Sequence, residues 1–117
     1  MEKQHKLLSR VWQFGSSLYD LVAFQGCDFG TWVEQDEAGF TQDKGNRYQP
    51  SNGALRSVLA KQHITTEDRI LDIGCGKGRA MAIMSKFPFA EVVGIEISES
   101  LEKIANQNLK KLGGGTV

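Results

Sequence analysis

Residues 70–78 read Ile70-Leu71-Asp72-Ile73-Gly74-Cys75-Gly76-Lys77-Gly78, and residues 93–98 read Val93-Gly94-Ile95-Glu96-Ile97-Ser98. The first stretch runs from apolar residues through one acid into three glycines at alternate positions. Arg69–Ile73 has the character of a short strand with Asp72 near its end, and Gly74–Gly78 that of a tight turn. Arg79–Phe87, rich in Ala and Met, predicts a helix that Pro88 stops. Glu91–Ile97 predicts a second strand, β-branched at Val92, Val93, Ile95 and Ile97. Ser98 is placed to cap a helix over 99–112. Its apolar positions Leu101, Ile104, Ala105, Leu109 and Leu112 keep helical spacing, and Gly113 suits the residue just past its end. Gly114-Gly115-Thr116-Val117 reads as a loose ending.

Strand, helix, strand, helix is a βαβα unit of the α/β class. Its strands are expected to be parallel and joined by a right-handed crossover. Parallel strands are covered on both faces, which accounts for their nearly unbroken apolar runs. Two strands alone make a poor sheet, so the pattern predicts the N-terminal part of an open Rossmann-like sheet, preceded by helices and incomplete.

Upstream, residues 5–23 show helical spacing. Leu7, Leu8, Val11, Trp12, Leu18, Leu21 and Val22 lie largely on one side, and Gly15-Ser16-Ser17 weakens the middle. Residues 24–50 carry scattered glycines and aromatics without a period. They read as a long structured loop with one short strand near Phe29–Val33. Ser51, after Pro50, can cap a helix with the apolar stripe Leu55, Val58 and Leu59, ending near His63. Residues 64–68 form a turn. The chain thus divides into a helical and loop cap region over 1–63 and the sheet-forming part over 64–117.

The 117 residues suffice for one small domain. Hydrophobic residues at 40% and charged residues at 24% indicate a globular chain. Basic and acidic residues balance at 14 each, so net charge gives no electrostatic case for nucleic acid or a membrane surface. Cys27 and Cys75, with His5 and His63, form no short metal-binding spacing, so no metal site is expected. Two free thiols in a reducing compartment fit better than a disulfide scaffold. No apolar run approaches the roughly 20 residues that span a bilayer. A cytoplasmic location is expected.

The chemistry concentrates at the glycine turn. Glycine permits positive φ and lets backbone approach a ligand without an intervening Cβ. A helix beginning there points free N–H groups at that ligand. In an open parallel sheet, ligands sit outside the carboxyl ends of neighbouring strands, which places Glu96 beside the turn. A carboxylate there can accept hydrogen bonds from both hydroxyls of a ribose. The dinucleotide fingerprint G-x-G-x-x-G/A fits poorly: counted from Gly74 its third position is Arg79, and counted from Gly76 it is Met81. Lys77 and Arg79 read as exposed residues at a helix start.

Together the two quoted stretches resemble the first and second motifs of class I S-adenosylmethionine-dependent methyltransferases, over about residues 69–112. The resemblance implies S-adenosylmethionine as cofactor and methyl transfer to an acceptor. It implies that Asp72 steadies the turn and approaches the cofactor's amino group, and that Gly74, Cys75, Gly76 and Gly78 supply turn backbone. It further implies that Glu96 holds the ribose hydroxyls and that Ile97 packs on the adenine. Tyr48-Gln49-Pro50-Ser51 is similar to a Tyr-x-Pro found before strand one in some members, including certain protein-lysine methyltransferases, which adds Tyr48 as a candidate near the methionine end. A packed tyrosine before a proline-started helix accounts for it equally well.

Acceptor contacts in this family come from later strands and loops, so no catalytic residue is assigned. These residues alone are expected to bind the cofactor weakly or not at all, and to lack turnover. The acceptor stays open among protein side chains, RNA and small molecules, and so does the oligomeric state. The alternatives are an NAD- or nucleotide-binding oxidoreductase fragment, and a non-catalytic interaction module that kept the fold.

Overall fold

The structure, a computed structural model, describes residues 22–34, 36–39 and 54–117. The helix expected over 5–23, the Ser51 cap and Tyr48 fall outside the described residues, apart from a helical end at Val22 and Ala23. The elements in order are α1 (Ala54–Leu59), β1 (Arg69–Ile73), α2 (Arg79–Met84), β2 (Glu91–Ile95) and α3 (Glu99–Leu112).

β1 and β2 pair in parallel from Arg69↔Glu91 to Ile73↔Ile95, with Asp72 opposite Gly94. Side chains alternate across a strand. Ile70, Asp72, Val92 and Gly94 turn towards the protein, while Leu71, Ile73 and Ile95 are exposed on the other side. Helix α2 is the centre of the packing and touches α1, α3 and both strands. Its Met81, Ala82 and Ile83 are almost wholly buried, in one cluster with Leu59, Val92, Leu109, Phe24 and Phe29. Phe24 and Phe29 meet edge to face, with ring centroids 5.3 Å apart.

Helix α3 follows the expected bounds. The Ser98 side chain accepts the Leu101 N–H at 3.2 Å, and Gly113 closes the far end at φ 73°. Glu99 and Glu102 in the first turn and Lys110 and Lys111 in the last complement the helix dipole. Three elements are shorter than the sequence suggested. α2 ends at Met84, and Ser85 as its cap bonds back to the Met81 carbonyl with both its N–H and its Oγ, each at 2.9 Å. Lys86 and Phe87 then tighten into bonds to Ile83 and Met84, three residues back. β2 stops at Ile95, whose carbonyl is taken by the glycine turn. α1 ends at Leu59 rather than near His63, and Gln62 donates to the Leu59 carbonyl in the turn that follows.

The ending is not loose. Thr116 bridges Val93 in parallel along the outer edge of β2: the Gly94 N–H reaches the Thr116 carbonyl at 2.9 Å, and the Thr116 N–H reaches that of Val92 at 3.3 Å. Its neighbour Val117 donates to the Asn106 side chain at 3.2 Å.

The loop after residue 24 runs along α3 towards its N-terminus. The Lys111 ammonium donates to the Gly26 carbonyl at 2.7 Å, Asp28 lies against Asn108, and the Ser98 hydroxyl donates to the Ala38 carbonyl at 2.7 Å. In place of the strand expected near Phe29–Val33, only Val33 makes an isolated bridge. Among the described residues no helix is long and apolar enough to cross a membrane.

Candidate functional site

The turn between β1 and α2 depends on left-handed backbone at Gly74 (φ 76°), Gly76 (φ 54°) and Gly78 (φ 86°), conformations that residues bearing a Cβ adopt only under strain. The carbonyl of Ile95 accepts both the Gly74 N–H at 2.7 Å and the Cys75 N–H at 3.1 Å, which ties the start of the turn to the end of the neighbouring strand. Glu96 completes the attachment. Its Oε2 accepts the Gly76 N–H at 2.8 Å, and its Oε1 accepts the Ser98 N–H at 2.8 Å. The carboxylate expected beside the turn is therefore bonded to it. A carboxylate has about four lone-pair positions, so two backbone bonds leave acceptor capacity for a ligand.

A second acid adds to the local charge. Burial, and then the nearby Glu96 charge, raise the Asp72 carboxyl above its ordinary value. An acid raised in this way suits a ligand bringing positive charge, and the free acceptor positions of Glu96 suit hydroxyl donors. Space for a ligand exists at Gly74, where nothing lies within 4 Å of the position a Cβ would take. Ile97, beyond the strand, is 67% exposed and offers an apolar surface next to Glu96.

Cys75 is buried, and burial with the Asp72 and Glu96 charges pushes its thiol up to about 12. At pH 8 a thiol of that pKa is ionised in about one molecule in ten thousand, so it is no nucleophile. Iodoacetamide at pH 8 is expected to leave Cys75 unmodified in the folded protein over a time that fully alkylates a urea-unfolded control. Rapid native modification of Cys75, read by peptide mass spectrometry, would contradict this.

Lys77 departs from its expected exposure. It is 1% exposed and its ammonium lies 2.8 Å from Asp28 Oδ2. Arg79 is half-buried rather than exposed, and burial lowers its pKa. Gly94 is not among the site residues expected from the sequence. A Cβ there would lie 2.4 Å from the Met81 sulfur and 2.8 Å from that of Cys75, so bare backbone at this point is what lets α2 and the turn settle on β2. The signal was present in the sequence, as an isolated glycine inside an apolar strand run.

Residues 64–117 match a family described as a methyltransferase domain. Over 54 residues the chain is 37% identical to a ribosomal protein L11 methyltransferase of Acetivibrio thermocellus, covering 46% of this chain and 17% of that protein. Over 107 residues it is 29% identical to a cyclopropane-fatty-acyl-phospholipid synthase of Escherichia coli, covering 88% of this chain and 27% of that protein. The chain thus spans less than a third of these relatives' length. A solved protein-L-isoaspartate O-methyltransferase superimposes with a TM-score of 0.49 at 22% identity, over 74% of this chain and 29% of that one.

Proposed function

We propose that this chain, whose residues 64–117 match a methyltransferase-domain family, is of the class I S-adenosylmethionine-dependent kind, holds that methyl donor between the glycine turn and Glu96, and forms the cofactor-binding part of a methyl-transferring enzyme. The observation that carries the proposal is the 2.8 Å bond from the Gly76 N–H to Glu96, which makes the turn and the carboxylate one site.

The residues suit the cofactor's chemistry. Glu96 has acceptor capacity for the ribose hydroxyls, Ile97 presents an apolar surface for the adenine, and Asp72 offers negative charge to the methionine ammonium. Open space beside Gly74 admits the ligand to turn backbone. When bound, S-adenosylmethionine supplies an activated methyl group on a sulfonium. The task left to the protein is to fix that donor's orientation and keep water away. The relatives' names differ in acceptor, one a ribosomal protein and the other a fatty acyl phospholipid, and what they have in common is the methyl donor's site. Titration with S-adenosylmethionine, S-adenosylhomocysteine and NADH, followed by protein NMR so that millimolar affinities are read, tests it. The two sulfur nucleosides are expected to bind, and preference for NADH would favour the oxidoreductase alternative.

The raised Asp72 pKa has a sign that can be checked. The folded protein holds this proton more tightly than the unfolded chain, whose carboxyl titrates near 3.8. Asp72 therefore lowers stability as the pH rises through its folded pKa. A cation beside it favours the ionised form. Affinity for S-adenosylmethionine is thus expected to weaken as the pH falls through that pKa, and Asp72→Asn is expected to flatten the dependence. A wild-type affinity that stays constant across the acid range would contradict it.

A further inference from the structure

We infer that Asp28 and Asn108 are positioning residues for the cofactor turn, acting through Lys77, so that the loop residues 26–34 and 36–39 serve as a strap that sets the turn from its outer side. The inference deepens the cofactor assignment above and rests on it.

A turn with three left-handed glycines gains little rigidity from its own backbone, since glycine has more conformational freedom to lose than any other residue. Its inner side is held by the Ile95 carbonyl and Glu96. Its outer side is held by Lys77, the residue between Gly76 and Gly78. The Lys77 carbonyl accepts the Asn108 side-chain amide at 3.0 Å, and its ammonium pairs with Asp28 at 2.8 Å. Asn108 is 2% exposed and is fully engaged: its Nδ2 also donates to the Asp28 carbonyl at 3.0 Å, and its Oδ1 accepts the Asp28 N–H at 3.0 Å. One buried amide thus fixes the strap and the turn to each other. Burial alone would raise the Asp28 carboxyl, but bonds from Lys77 and Thr31 outweigh it and hold the group below its ordinary value, so the carboxyl is ionised at neutral pH.

The far end of the strap reaches the other half of the site. Ala38 accepts the Ser98 hydroxyl at 2.7 Å, and the Ser98 N–H is the group that holds Glu96 Oε1. One segment therefore anchors both the turn and the residue that orients the carboxylate. A cap that only covered apolar surface would need neither a buried ammonium nor an amide spent on three backbone groups.

The test uses the full chain and Asp28, whose own side chain is half exposed. In ligand-free protein, Asp28→Ala is expected to speed hydrogen exchange of the Gly76 and Gly78 amides by roughly tenfold or more, the equilibrium worth of one charge-assisted hydrogen bond, while amides in the middle of α3 keep their rates. Asp28→Asn, which keeps an acceptor for Lys77, is expected to fall between Asp28→Ala and wild type. Unchanged exchange at Gly76, or equal acceleration at every amide, would overturn the strap. In the same samples, S-adenosylmethionine is expected to bind Asp28→Ala more weakly than wild type, with a smaller loss when Glu96→Gln is already present. Strict additivity would show that Asp28 does not act through the turn. Absence of binding to wild type would overturn the cofactor assignment, while the exchange rates would still decide the strap.

Discussion

A Gly94→Ala protein is expected to lose on the order of 2–3 kcal/mol of stability, the upper part of the range for overpacking a filled core. The new methyl would lie 2.4 Å from the Met81 sulfur, 2.8 Å from the Cys75 sulfur and 3.0 Å from the Cys75 Cβ. Met side chains usually adapt, but Met81 has no exposed surface and is surrounded by the central cluster. Cys75 has less room still, because its N–H is bonded to Ile95 and its neighbour Gly76 to Glu96. The strain must therefore be relieved by lifting the turn and the start of α2 from β2, which also damages the site. Gly30→Ala is the control. Nothing lies within 4 Å of a Cβ there, and its φ lies outside the positive range that strains L residues. A change within about 0.5 kcal/mol is expected, as at an ordinary surface position. Urea unfolding midpoints measure both. A Gly94→Ala protein as stable as Gly30→Ala would show that α2 does not press on β2 as described.

The second large effect falls on binding. Glu96→Gln is expected to weaken S-adenosylmethionine binding by roughly ten- to a hundredfold, the loss of about 1.5–3 kcal/mol that accompanies removal of a charged acceptor. Glutamine keeps one oxygen acceptor but places an NH₂ where a carboxylate oxygen stood. Either Gly76 or Ser98, both of which donate to Glu96 at 2.8 Å, then faces another donor. The substitution has a signature besides affinity. The Glu96 charge is the second cause of the raised Asp72 pKa, so Asp72 is expected to titrate lower in Glu96→Gln, with the part due to burial remaining. Carboxyl-carbon NMR of Asp72 reads this without ligand. An unchanged Asp72 titration would mean that the two acids do not share a site.

The parts of the fold legible in the sequence are those set by local pattern. The two strands, the glycine turn and α3 each follow from residues within a dozen positions of one another, and the turn and Glu96 come together because parallel strands bring their carboxyl ends side by side. Lys77 was misread because its partner Asp28 lies 49 positions away, and nothing local distinguishes a lysine that turns inwards from one that faces water. Asn108 did carry a signal. It sits seven residues after Leu101 and three after Ala105, within the stripe of α3 that turns inwards, where a buried amide must find partners. The short return at Gly114–Val117 has too few residues for a period, and its pairing with Val93 is fixed by the sheet edge rather than by its own composition.

The central claim is that the turn at 74–78 and the carboxylate at 96 face the same nucleoside. Mapping the amide shifts of ¹⁵N-labelled protein on addition of S-adenosylhomocysteine tests it most directly. The account expects the perturbations to cluster at Gly74, Gly76, Glu96 and Ile97. It expects the residues around the separate cavity of about 310 Å³ at the opposite end of the strands, among them Phe87, Phe89 and Thr116, to stay still. Shifts centred on that cavity, or none at millimolar nucleoside, would contradict it.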